Sequence, residues 1–205
     1  MTPHYWQQAT REIAARDAVL RKLVTKFKGL ALGSRGDAFA TLARAIVGQQ
    51  ISVKAAQSVW NRVAAGLPAM TPVAMLQADV PRLRGCGLSR RKVIYLQELA
   101  AHFQSGVIAV DNWSQLDDEA LIDELTHVKG IGRWTAEMFL IFYMARPDVL
   151  PLDDLGLQRA MRLHYNRGKP LSRLKMRRIS DNWAPWRSVA TWYLWRSLDP
   201  IPVEY

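Results

Sequence analysis

The stretch "LTHVKGIGRWTAEMFLIF", residues 125–142, constrains the fold more than any other. Two glycines flank one apolar residue, Ile131, between two segments of helical apolar spacing. Before the turn, Leu121, Leu125 and Val128 mark one helix face, with Asp117 placed to cap that helix. After it, a helix from about Arg133 to Met144 is apolar nearly all round, and such a helix is internal. Other helices must surround it, and the same period recurs along the chain. Phe39, Leu42, Ile46 and Val47 run up to an interruption at Gly48. Ser52 then caps a helix with Val53, Ala56, Val59 and Val63 on one side, ended by Gly66 and Pro68. A glycine turn, "LRGCGLSRRK", precedes Val93, Leu96, Ala100 and Phe103. Met161, Leu163 and Tyr165 belong to a later helix closed by Asn166 and Gly168. The last long helix holds "WAPWRSVATWYLW", with Pro185 in its first turn. Strand-like alternation is scarce, so an all-α fold is expected.

Charge narrows the class of partner. The 205 residues carry 28 Lys and Arg against 18 Asp and Glu, a formal net charge of +10. Such a balance predicts attraction to a polyanion such as nucleic acid. A single cysteine, Cys86, excludes an internal disulfide and any cysteine-ligated zinc or iron–sulfur site. His4, His102, His127 and His164 show no metal-ligand spacing. No apolar run reaches membrane-spanning length, and the first residues lack the apolar core of a signal peptide. A cytoplasmic, nucleoid-associated protein is the expectation.

The turn itself suggests where a polyanion binds. Gly130 and Gly132 allow positive φ and a close backbone approach. Backbone N–H groups at the start of the next helix then face outward, where a phosphate can sit, and Arg133 adds charge there. Arg90, Arg91 and Lys92, after the second glycine turn, are further candidates for phosphate contact. The basic run "SRLKMRRIS" reads as a solvated helix face.

Four motifs, "VGQQIS", "LRGCGLSRRK", "VKGIGRWTAEMF" and "LPLDDLGLQRA", occur in that order and at compatible spacing. Together they resemble the helix-hairpin-helix DNA glycosylase superfamily, in its alkylation-repair branch, the 3-methyladenine DNA glycosylase II type. The resemblance spans about Phe39 to Trp195. It departs at Lys129, where the family often has proline, and in length, since the β-rich N-terminal domain of larger bacterial members has no room here. It implies two helical lobes with the active site in the cleft between them. The expected lobes are 1–37 with 147–205, and 38–146 carrying the hairpin. It also implies a DNA backbone contact by Gly130, Gly132, Arg133 and Thr135. The carbonyls of Thr126, Val128 and Ile131 would hold a monovalent Na+ or K+ ion when DNA is bound; no other cofactor is implied.

The resemblance also implies the chemistry. Members that cut the DNA backbone carry a lysine nucleophile two residues after the G-x-G turn, where this chain has Trp134. An indole cannot form that Schiff base. The expectation is a monofunctional glycosylase that releases alkylated purines, of the 3-methyladenine and 7-methylguanine type, from duplex DNA and leaves an abasic site. In the family, the aspartate twenty residues after the Trp134 position is catalytic, which marks Asp154. Both Asp153 and Asp154 are also placed to cap a helix from Leu155, and Asp153 is assigned that capping or supporting role. Trp134, Trp195 and Met138 are expected to line the base pocket, with Trp183, Trp186 and Trp192 in the core. Gln50 matches the family's wedge position, which fills the gap left by a flipped base, and its neighbour Gln49 is the alternative. The partner is then double-stranded DNA, bound by a monomer. A non-catalytic helix-hairpin-helix DNA-binding module would account for charge and hairpin but leaves Asp154 and Trp134 without purpose. An all-α enzyme acting on a small molecule is a third reading.

Overall fold

The computed structural model describes residues 2–33, 37–108 and 110–198. The Val53 side chain, expected on a buried face, lies outside the described residues. All regular structure described is helical. In chain order the helices are α1 (Trp6–Arg16), α2 (Ala18–Lys26), α3 (Ala38–Gly48), α4 (Val53–Gly66), α5 (Pro72–Gln77) and α6 (Val80–Gly85). They continue as α7 (Arg90–Gln104), α8 (Asp118–Thr126), α9 (Arg133–Phe142), α10 (Leu155–Tyr165), α11 (Arg173–Ser180) and α12 (Arg187–Leu198). Short 3-10 turns cover Val110–Gln115 and Asp181–Trp183. No helix among the described residues is long and apolar enough to cross a membrane.

Local sequence explains most of the helix starts. Asp17, Asp37, Ser52, Thr71, Asp79, Ser89, Asp117, Asp154 and Ser172 each accept a backbone N–H of the first turn on their side-chain oxygen. Such a cap contributes about 1 kcal/mol. The last helix differs from expectation: α12 begins at Arg187, so Pro185 stands before its first turn. Likewise α9 ends at Phe142, two residues before Met144.

The chain divides into two units, Met1–Arg35 with Leu140–Glu204, and Gly36–Phe139. The second division therefore comes seven residues earlier than the expected 146/147. The reason is that the end of α9 already packs with the first unit's aromatics: Phe142 stacks on Trp195 at 5.8 Å.

The first unit centres on Ile13, Leu20, Leu157, Met161, Val189 and Leu194, all at 0 % exposure. Trp6 meets Trp192 edge to face at 5.1 Å. Asp17 is a buried pin in this core. Its Oδ1 caps α2 through Val19 and Leu20, while its Oδ2 accepts Tyr165 Oη–H at 2.8 Å and Trp183 Nε1–H at 3.0 Å. Trp183 and Trp192 are core residues as expected; Trp186 is half-buried, stacked on Tyr5, and donates to Glu12.

In the second unit Leu42 and Ile46 of α3, Met75 of α5, Leu96 and Leu99 of α7, and Leu121 and Leu125 of α8 are fully buried. Trp113 closes that core. Its ring meets Phe139 edge on at 5.2 Å, and its Nε1–H donates to Glu124 at 2.8 Å.

Candidate nucleic-acid interface and active site

Within the second unit, the turn between α8 and α9 is a tight hairpin. Val128 O accepts the Ile131 N–H at 3.0 Å, and Ile131 is 3 % exposed. The two glycines do different work. Gly130 has φ +90°, and a Cβ there would lie 2.4 Å from Tyr95 Cγ and Cδ2. Gly132, which could also take positive φ, does not, and a Cβ there would meet nothing within 4 Å. Gly130 is therefore required by folding, whereas Gly132 leaves open space over the first N–H groups of α9.

A pocket of about 570 Å³ adjoins this hairpin. It brings together Gln49, Gln50, Arg91, Lys92, Gly130, Gly132, Trp134 and Thr135, all singled out in the sequence. Tyr95 and Ser89, which the sequence did not single out, complete it with Ile131. Tyr95 lies one turn along α7 from Arg91, and only the packing of α7 beside the hairpin reveals it. Trp134 is half-buried in this wall.

The α3–α4 junction separates the two glutamines. Gln49 Nε2 donates to Gly130 O at 2.7 Å and to Thr135 Oγ1 at 3.1 Å, so this side chain braces the junction to the hairpin. Gln50 is exposed and has φ +59°. A non-glycine residue in that region costs roughly 1–2 kcal/mol. That backbone strain sits at the exposed residue of the junction.

Three of the expected residues are engaged within the fold. Lys92 does not present its charge outward: its Nζ donates to Val47 O at 2.7 Å and Gln49 O at 2.8 Å, since its stem runs back to the end of α3. Burial pushes its ammonium below the usual lysine range. Arg133 is held by two carboxylates, Glu119 at 2.9 and 2.5 Å and Glu137 at 3.1 Å. The Arg133 hydrogen bond in turn holds Glu119 below the usual carboxylate range. Met138, expected to line the base pocket, is 1 % exposed because it faces the unit's core. Arg90 and Arg91 are exposed at the start of α7.

Asp154 and Trp195 belong to the first unit and face one another there. Asp154, at 9 % exposure, accepts the Leu157 N–H at 2.6 Å and the Trp195 Nε1–H at 2.7 Å, both on Oδ1. Asp154 is thus itself the N-cap of α10. Asp153 is not the cap: its side chain is half-exposed and ion-paired with Arg173, because the chain turns at Pro151–Asp154 and directs the second acid inward. Trp195 is fixed in turn by stacking on Phe142, with ring planes 10° apart. Gly156 makes room for the pair, since a Cβ there would lie 3.0 Å from Asp154 Oδ1 and 3.1 Å from Trp195 Cδ1.

The segment before Asp154 is anchored to the head of α12. Arg187 grips Asp148 through two bonds of 2.8 and 2.7 Å. Ser188 Oγ donates to Arg146 O at 2.7 Å and accepts the Val149 N–H at 2.9 Å. Sequence reading missed these anchors, because partners about forty residues apart leave no local pattern.

The chain that carries this hairpin, basic pocket and buried carboxylate is similar to known proteins. A family model described as "HhH-GPD superfamily base excision DNA repair protein" matches residues 43–185. The DNA-3-methyladenine glycosylase 1 of Schizosaccharomyces pombe is 35 % identical over 182 residues, covering 87 % of this chain and 80 % of that protein. Among solved structures, the S. pombe 3-methyladenine DNA glycosylase in complex with abasic DNA matches with a TM-score of 0.85 and 31 % identity, over 97 % of this chain and 99 % of that one. A DNA-3-methyladenine glycosidase from Bacillus halodurans matches with a TM-score of 0.80 and 32 % identity, over 93 % and 89 % of the two chains. The fold is that of a helix-hairpin-helix DNA repair protein. The chain belongs to the HhH-GPD superfamily of base excision DNA repair proteins.

Proposed function

We propose that this protein is a monofunctional DNA glycosylase that hydrolyses the N-glycosidic bond of alkylated purines in duplex DNA and leaves an abasic site. The observation that carries the reading is Asp154, a buried carboxylate oriented by two N–H donors at the head of α10. The names of its relatives support alkylated bases as the substrate class.

Breaking the glycosidic bond builds positive charge on the sugar. Asp154 stabilises that charge and orients the attacking water. At an effective dielectric of ~20, opposite charges ~4 Å apart attract by about 4 kcal/mol. That approaches a thousandfold in rate, as an upper figure, because part of the attraction exists in the ground state. Alkylation at N3 or N7 makes the purine cationic and a good leaving group, so no dedicated acid is needed. The ring face of Trp134 attracts such a base by about 0.5–2 kcal/mol. Trp134 also stands where a lyase would carry its lysine, so no Schiff base forms.

Flipping the base out costs a few kcal/mol. Gln50 fills the gap, because Gln49 is already committed to Gly130 and Thr135. The open space over Gly132 admits the phosphate to the α9 N–H groups. The carbonyls of Thr126, Val128 and Ile131 would hold a monovalent cation; neutral oxygen donors at a turn suit such an ion, and Val128 O keeps a second lone pair beyond its bond to Ile131. Such an ion would neutralise phosphate charge at the hairpin.

The test is incubation of methylated duplex DNA with the wild type and Asp154→Asn, measuring released bases and abasic sites. The wild type releases methylated purines without strand cleavage, and the variant is severely impaired. Equal activity in both would overturn the role of Asp154. Release of no base from any alkylated duplex, with salt-dependent binding intact, would favour the non-catalytic module.

A further inference from the structure

We infer that Lys92 is a positioning residue for base extrusion, acting by clamping the α3 terminus that carries Gln50. The inference rests on the reading of Gln50 as the wedge. The last turn of α3 has no basic residue of its own, so its terminal carbonyls lack a local cation. Lys92 supplies one from α7, 43 and 45 residues along the chain. Its two acceptors, Val47 O and Gln49 O, bracket the end of the helix and the residue before Gln50. Ser89 fixes the lysine's own backbone by accepting the Lys92 N–H at 3.2 Å.

The clamp does not act alone. Gln49 Nε2 ties the same junction to Gly130 O and Thr135 Oγ1. Main chain and side chain of Gln49 are therefore held from two directions, one by α7 and one by the hairpin. Between them Gln50 is kept at φ +59°, a conformation uncommon for residues other than glycine. Without the ammonium, two terminal carbonyls lose their donor and the junction is free to relax to negative φ. The Gln50 side chain then leaves the position from which it enters the duplex. Lys92 touches neither the base nor the sugar in this scheme, so its loss impairs extrusion and spares the chemical step.

Two duplexes separate these steps. In one, the alkylated purine is paired; in the other it lies opposite an abasic gap, where extrusion requires less work. Single-turnover base release is measured for the wild type, Lys92→Met, Gln50→Ala and the double variant, with thermal unfolding as a check on folding. Lys92→Met should slow release of the paired base about tenfold, the scale of a lost charged hydrogen bond, and of the gap-opposed base much less. The double variant should be no slower than Gln50→Ala, because the clamp acts through Gln50. Equal slowing of both duplexes by Lys92→Met, an unchanged paired rate, or additive effects in the double variant would each overturn the inference. The double variant keeps the test valid if Lys92→Met is less stable, since lost stability would add to the Gln50→Ala defect. An unchanged paired rate in Gln50→Ala would instead overturn the wedge reading and, with it, the clamp's purpose.

Discussion

Trp195 donates its indole N–H to the same oxygen of Asp154 that accepts the Leu157 N–H, at 2.7 and 2.6 Å. A tryptophan expected to line the base pocket therefore also orients the proposed catalytic carboxylate. Hydrogen bonds to charged groups contribute about 1.5–3 kcal/mol. Trp195→Phe removes the donor but keeps a ring to stack on Phe142. The Leu157 cap remains, so α10 should stay intact. We expect single-turnover base release to fall about tenfold or more with an unfolding midpoint near that of the wild type. An unchanged rate would show that the bond does not orient the carboxylate for chemistry.

Gly156 tests the same seat by crowding it. A methyl group 3.0 Å from Asp154 Oδ1 and 3.1 Å from Trp195 Cδ1 forces one of them to move. Small displacements of a catalytic group can cost about a hundredfold in rate. Gly156→Ala should therefore lower kcat strongly while leaving duplex affinity, measured by fluorescence anisotropy, close to the wild type.

The two hairpin glycines should fail in opposite ways. Gly130→Ala drives Cβ into the Tyr95 ring at a φ of +90°, so a loss of stability of about 2–4 kcal/mol is expected in urea unfolding. The double variant with Tyr95→Ala should recover only part of it, because the backbone strain stays. Gly132→Ala meets nothing within 4 Å in the folded protein and should unfold like the wild type. It should instead weaken duplex binding, because the methyl group occupies the space proposed for a phosphate.

Glu119 and Glu137 neutralise Arg133 in the free protein. Glu119→Gln releases part of that charge, and duplex binding should tighten. If Arg133 gains a phosphate, the slope of log K against log salt should steepen by about 0.9. Acid should act in the same direction. The Arg133 hydrogen bond lowers the Glu119 pKa, so the pair is complete above the ordinary glutamate range and is lost as pH falls through the lowered value. The difference between wild type and variant should accordingly vanish at low pH.

Asp17 makes a prediction about folding alone. It is 8 % exposed and accepts bonds from Val19, Leu20, Tyr165 and Trp183. Asp17→Ala leaves buried donors unpaired and should destabilise the protein by about 3–5 kcal/mol in urea unfolding.

Much of this molecule is legible without coordinates. The capping residues Asp117, Ser52 and Asp154, the helical apolar period and the G-x-G turn are local features, and local features determine where helices begin, end and turn. They led to the all-α class and to the site residues around the hairpin. What local pattern could not carry was pairing between distant residues. Both Asp153 and Asp154 can cap a helix at Leu155; the turn at Pro151–Asp154 and the indole of Trp195 select Asp154, and Arg173 takes the other. Either glutamine of "VGQQIS" fits a wedge by spacing; only the folded hairpin distinguishes them, by engaging Gln49 and leaving Gln50 exposed. Lys92 reads as a candidate for phosphate contact until α7 packs against α3 and turns its ammonium onto two carbonyls. The sequence alone determined the helices and the chemical vocabulary, because propensity, capping and period act over a few residues. Tertiary structure alone decided which acid caps α10, which amide engages the hairpin and which cation holds the end of α3, because hydrogen-bond partners far apart in the chain exist only once it has folded.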